Sequence, residues 1–135
     1  MKHKIMLVDD DIDLTEQYKI VLEQAGYEVQ VAHSGAEGYE LFKEFKPEVA
    51  IVDLAMETFD AGFILTHRMR KTEHGKNCQI FILTSAGMDT DFRFSVNTDE
   101  EKRWIKANGY LDKPVRPGDL LNYIQKKIFH EKESH

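Results

Sequence analysis

"KIMLVDDDID", residues 4–13, joins the apolar run Ile5–Val8 to three consecutive aspartates, Asp9, Asp10 and Asp11. Neighbouring carboxylates repel one another, and the repulsion grows as water is excluded. Two readings fit such a knot. One is a solvated turn whose last aspartate caps a helix. The other is a site for a divalent cation. The rest of the chain decides between them.

Working outward, the chain alternates between strand and helix patterns. Residues 12–25 place Leu14, Tyr18, Val21, Leu22 and Ala25 at helical spacing, and Gly26 stops the run. "YEVQVA" (27–32) reads as a strand. Ser34 and Glu37 form a capping box ahead of a helix carrying Leu41, Phe42 and Phe45 on one face, and Lys46-Pro47 ends it. "VAIVDL" (49–54) is a third strand, followed by the irregular "AMETFDAG" (55–62) and a helix with Leu65 and Met69 on its apolar side. "QIFILTS" (79–85) is the fourth strand. "DEEKRWIKANG" (99–109) reads as a helix with a glycine stop. A short strand, "YLD" (110–112), follows, and Pro117-Gly118-Asp119 opens a last helix through Leu120, Leu121, Ile124 and Ile128.

Apolar strands without clean alternation belong to parallel sheets covered on both faces. Right-handed crossovers then give an α/β fold, a doubly wound five-stranded parallel sheet with five helices, whose ligands bind beyond the carboxyl ends of the strands. The 135 residues suffice for one domain with a single core, and no linker or repeat divides them. A net charge of -6 argues against a phosphate-binding surface for nucleic acid. The lone Cys78 fits a reducing, cytoplasmic setting, and neither a secretory signal nor a membrane span is apparent. The six histidines form no ligand spacing and read as structural or solvated.

The strand ends collect chemistry. Asp9, Asp10 and Asp11 follow the first strand and Asp53 ends the third. Thr84-Ser85 ends the fourth, and Asp112-Lys113-Pro114 the fifth. Carboxylates with open water positions suit Mg²⁺, which keeps several waters and binds beside phosphate. A lysine and a hydroxyl suit phosphate oxygens. The set reads as metal-assisted phosphoryl transfer to a carboxylate.

"VDDD" (8–11), "VDLAM" (52–56), "ILTS" (82–85) and "YLDKP" (110–114), in that order, resemble the receiver domain of two-component response regulators. The resemblance implies a flavodoxin-like (CheY-like) fold spanning residues 1–130, with 131–135 as a short polar tail and no output domain. It implies that Asp53 accepts a phosphoryl group from a phosphohistidine of a sensor kinase or phosphotransfer protein. Asp10 and Asp53 would ligate Mg²⁺ directly, Asp9 through water, and Ala55 through its carbonyl. Thr84 and Lys113 would each bind a phosphoryl oxygen, Tyr110 would be the aromatic switch partner of Thr84, and Pro114 would follow a cis peptide bond. Asp11 fits a cap better than a ligand.

A stand-alone receiver of this kind would bind a downstream protein through its fourth helix, fifth strand and fifth helix, or pass the phosphoryl group on. It would be a monomer or weak dimer with no nucleic-acid or membrane partner. Two alternatives stay open: a haloacid-dehalogenase-like phosphatase using Asp9 as nucleophile, which leaves Asp53 without a role, and a receiver-like scaffold that is never phosphorylated.

The chain departs from the family in two places. Glu57 stands where a proline usually follows Met56, and Ala61 precedes Gly62, so the loop after Asp53 is expected to be less restrained. "AGMDTDFRFSVNTDE" (86–100) lengthens the interval before Lys113 and is expected to be mobile, with Phe92 and Phe94 either packed or exposed to a partner. In that family the residues two after the phosphorylated aspartate and two after the threonine flank the path of the hydrolytic water. The resemblance puts Ala55 and Ala86 there, neither side chain can orient a water, and a long-lived phosphorylated form is expected.

Overall fold

The computed structural model describes residues 2–58, 60–85 and 107–129. Five strands, β1 (Lys4–Val8), β2 (Glu28–Ala32), β3 (Val49–Asp53), β4 (Gln79–Ser85) and β5 (Gly109–Lys113), form one sheet in the order β2-β1-β3-β4-β5. Every neighbouring pair is parallel. Helices α1 (Ile12–Gln24), α2 (Gly35–Phe45) and α3 (Ala61–Arg70) fill the first crossovers, and a C-terminal helix opens at Pro117.

Alternation along the strands shows why the sheet is wound from both sides. Ile5, Leu7, Val29, Val49, Ile51, Phe81 and Leu83 pack against Tyr18 and Leu22 of α1 and Leu120 and Ile124 of the C-terminal helix. Met6, Val8, Ala50, Val52 and Ile80 face the other way, toward Phe42 of α2 and Leu65 and Met69 of α3. Odd and even residues of one strand thus serve two separate layers, each needing its own apolar partners. That is why "IMLV" is a continuous run.

Local signals place the ends. Asp11 caps α1, its carboxylate accepting the Leu14 N–H at 3.1 Å. Gly26 stops the chain after α1 with φ of +102°, a conformation costly for any residue with a Cβ. Ser34 accepts from the Glu37 N–H, but the reciprocal bond differs from a strict capping box. Glu37 Oε1 takes the N–H of His33, one residue before the cap. Lys46, ahead of Pro47, ends α2 in the left-handed region at φ of +51°.

The last helix also departs from its pattern. It is α-helical only over Pro117–Tyr123 and then widens to π-type bonding over Ile124–Phe129. Here Phe129 reaches the amino-terminal side of the sheet and stacks on His3, ring centroids 4.0 Å apart. The fifth strand runs one residue further than "YLD" at each end and includes Lys113. Of the helix expected over 99–109, residues 99–106, Trp104 among them, lie outside the described residues, as do Phe92, Phe94 and the tail 131–135, and Gly109, expected as its stop, begins β5. Among the described residues, no helix is long and apolar enough to cross a membrane.

Candidate phosphoryl-transfer site

The carboxyl ends of β1, β3, β4 and β5 meet at one edge of the sheet. Parallel register fixes which residues arrive together: Val8 lies beside Val52, Asp53 beside Leu83, and Thr84 beside Asp112. Lys113, one residue on, lays its ammonium between two carboxylates, 3.1 Å from Asp9 Oδ2 and 3.1 Å from Asp53 Oδ1. Asp10 completes the group. One oxygen from each of Asp9, Asp10 and Asp53 lies within 4.8 Å of the others. Asp9 and Asp53 are buried and Asp10 is exposed, so the cluster opens to solvent on the Asp10 side.

Electrostatics here are unbalanced. Burial, and then the Asp9 carboxylate, push the Asp53 carboxyl up to about 6, although Lys113 pulls it back down. Burial works against the Lys113 ammonium, but Asp53 and Asp9 outweigh it and raise its pKa. Asp9 Oδ1 accepts the Asp11 N–H at 3.0 Å. Asp9 Oδ2 is buried, and the Lys113 ammonium 3.1 Å away is its charge partner. Three carboxylates against one ammonium, two of them buried, are a donor set that fits a small hard dication.

Backbone contacts hold Asp53 in place. The Gly62 N–H donates to the Leu54 carbonyl at 2.6 Å, and a Cβ on Gly62 would stand 2.5 Å from the Asp53 carbonyl oxygen. Only glycine lets the first turn of α3 approach β3 so closely. On the far side, the Tyr18 hydroxyl of α1 donates to the Val115 carbonyl at 2.7 Å, anchoring the segment just after Lys113. Burial raises this phenol to about 12, so it stays a donor at any physiological pH. The Lys113–Pro114 peptide bond is cis.

The loop after Asp53, which lacks the family's proline, makes contacts of its own. Glu57 folds back on α2 and its carboxylate takes the Gly35 N–H with both oxygens, at 3.0 and 2.9 Å. That N–H, in the first turn of α2, has no partner within the helix, and the bond holds the Glu57 carboxyl below its usual range. Thr58 adds a bond to Asp60, Oγ1 to Oδ1, at 2.9 Å. A charge-assisted tether replaces the stiffness of proline. Glu57→Ala is expected to cost on the order of 1 kcal/mol in denaturant unfolding, since the carboxylate is exposed and water replaces it. Glu57→Gln should recover part of it; an unchanged midpoint in Glu57→Ala would show that the tether does not hold the loop.

The remaining candidates are also placed. Tyr110 is half-buried against the Leu54, Phe63 and Ile82 cluster, next to the site. Ala55 lies two residues past Asp53 in the turn before α3, whereas Ala86 lies outside the described residues. Cys78 is buried in the α2–α3 layer just before the amino end of β4, the end away from the site, with its thiol pushed up to about 12 by burial. His33, which composition gave no reason to single out, bonds the Asp9 carbonyl through Nδ1 at 3.0 Å and so braces the acidic turn. His74 bonds the Pro47 carbonyl and is structural.

The family model described as response regulator receiver domain matches residues 5–125. The chain belongs to the response regulator receiver family. Among curated relatives of this receiver, the protein PilH of Pseudomonas aeruginosa is 32% identical, over 90% of this chain and 93% of its own. The probable transcriptional regulator ycf29 of Porphyra purpurea is 28% identical over 97% of this chain. The receiver spans 59% of that regulator and 47% of the RpaA regulator of Synechocystis, so it covers about half of such longer relatives. In structure it is similar to the chemotaxis response regulator CheY4 of Vibrio cholerae, with a TM-score of 0.77 at 27% identity, covering 93% of this chain and 98% of that one. A response regulator from Chloroflexus aurantiacus gives 0.76 at 31% identity, over 93% and 97% of the two chains.

Proposed function

We propose that this receiver takes a phosphoryl group onto Asp53 from the phosphohistidine of a sensor kinase or phosphotransfer protein, in a Mg²⁺-dependent reaction. It then acts as a switch for a downstream protein or passes the group on, in the cytoplasm. The observation that carries this reading is the convergence of Asp9, Asp10, Asp53 and Lys113 at one edge of the sheet. Family membership supports it, and it gives Asp53 the role that a phosphatase built on Asp9 would leave empty.

In this reading an Asp53 oxygen attacks phosphorus. A P–O bond forms as the P–N bond breaks, and the donor imidazole leaves with the electron pair. The attacking group must be the carboxylate, and its raised pKa makes it a better nucleophile than an ordinary aspartate once ionised. Lys113 moves from balancing Asp9 and Asp53 to balancing the added phosphoryl charge. Thr84 donates its hydroxyl to a phosphoryl oxygen. Asp9, Asp10, Asp53 and the Ala55 carbonyl would hold the Mg²⁺, which supplies charge neutralisation at phosphorus when bound.

The test is incubation with a small phosphodonor and Mg²⁺, followed by mass measurement. Wild type is expected to gain one phosphoryl group and Asp53→Ala none. A gain that persists in Asp53→Ala, or none in either protein, would refute the assignment.

A further inference from the structure

The two strands that deliver Thr84 and Lys113 to the site also carry a residue without a role in the chemistry above. Asp112 is the register partner of Thr84 across β4 and β5, and the Thr84 hydroxyl donates to Asp112 Oδ1 at 2.9 Å. Thr84 is buried while Asp112 is exposed, so the bond points from the interior outward. Its neighbour Lys113 reaches in to Asp9 and Asp53. A threonine hydroxyl has one proton to give. In the resting protein that proton belongs to a carboxylate, in a charge-assisted bond stronger than a neutral one.

We propose that Asp112 is a restraining residue, which keeps the Thr84 hydroxyl engaged in the resting state so that phosphorylation must take it away. This rests on the reading in which Thr84 donates to a phosphoryl oxygen. The hydroxyl cannot serve both acceptors, so the Asp112 bond stabilises the resting arrangement alone. Any group that stabilises one of two states shifts their balance by that differential free energy. The acceptor is exposed, and water takes the place of the hydroxyl when the bond breaks. The restraint is therefore modest: removing it should favour the engaged state by about three- to tenfold, the weight of one such bond after exchange with water.

The identity of the side chain grades the effect. Asp112→Ala removes the acceptor, whereas Asp112→Asn keeps an acceptor of the same shape without its charge. Neither replaces a residue that would hold the metal or the phosphoryl group, and position 112 is exposed, so the sheet tolerates both.

The experiment titrates the Mg²⁺-saturated protein with beryllium fluoride, a phosphoryl mimic, and follows backbone amide resonances of β4 and β5. Asp112→Ala is expected to bind about three- to tenfold tighter than wild type, with Asp112→Asn between them. The same substitution is then made in a Thr84→Ala background, where no hydroxyl remains to be restrained, and there it is expected to change nothing. Equal tightening with and without the Thr84 hydroxyl would mean that Asp112 acts by its charge alone and would overturn the proposal. No tightening in either background would overturn it as well. A failure of the underlying reading looks different: beryllium fluoride would not bind wild type, or would bind Asp53→Ala equally well.

Discussion

Replacing Lys113 with methionine is expected to slow phosphorylation of Asp53 by about a hundredfold, the usual loss when one preorganised charge is removed from a developing anion. Methionine keeps much of the length and apolar stem of lysine but leaves Asp9 and Asp53 facing each other without the ammonium that stands 3.1 Å from both. Two effects then act together. The phosphoryl oxygens lose a counter-charge, and the nucleophile, already pushed up to about 6, is pushed further, so less of it is ionised. Added Mg²⁺ compensates the second effect but not the first. The measurement is the initial rate with a small phosphodonor at saturating Mg²⁺, with the amide spectrum confirming an intact sheet. A rate within about threefold of wild type would show that Lys113 is only a structural partner of the acids.

Without metal, wild type should lose stability as pH rises from about 4 to about 6, and Asp53→Asn should escape that part of the loss. The sign follows from proton counting. The Asp53 carboxyl sits near 6 in the folded protein against 3.8 ordinarily, so between those values the folded state holds a proton that the unfolded state has released. Protonated Asp53 is thus a stabilising presence at low pH that disappears as pH climbs through the folded value. The difference between the two proteins should grow by on the order of 2 kcal/mol across that window and then level off. Denaturant unfolding in chelator at several pH values reads it directly. Mg²⁺ at neutral pH should narrow the gap, since it binds the folded acidic cluster of wild type. Parallel pH profiles for the two proteins would mean that Asp53 is not electrostatically strained.

The parts of this molecule legible in sequence are those set by short-range pattern. Ile5–Val8, Val49–Val52 and Ile80–Leu83 are apolar at every position because each strand feeds two layers, and that run length marks them as parallel. The strand ends followed, and with them the grouping of Asp9, Asp10, Asp53, Thr84 and Lys113. Asp11 was readable as a cap because the helix pattern begins at once after it.

What escaped depends on contacts between elements. The Glu57 tether needs the start of α2 to lie under the loop after β3, and no local pattern encodes that. Absence of a proline signalled slackness, whereas a carboxylate at the same position reaches an unpaired helix N–H. The Thr84–Asp112 bond needs the exact register of β4 on β5, which a one-residue shift would abolish. The Ile124–Phe129 widening has apolar spacing compatible with an α-helix, so only its packing on His3 distinguishes it.

The order in which strands enter the sheet bears on how the protein is made. β1 and β3, which carry the acids, leave the ribosome long before β5, the edge strand that brings Lys113. Tyr18 meets its acceptor at Val115, 97 residues later in the chain. A nascent chain that has produced only the first four strands therefore carries the acids of β1 and β3 without Lys113, and α1 without its anchor at Val115. The site closes only once β5 has emerged and joined the sheet.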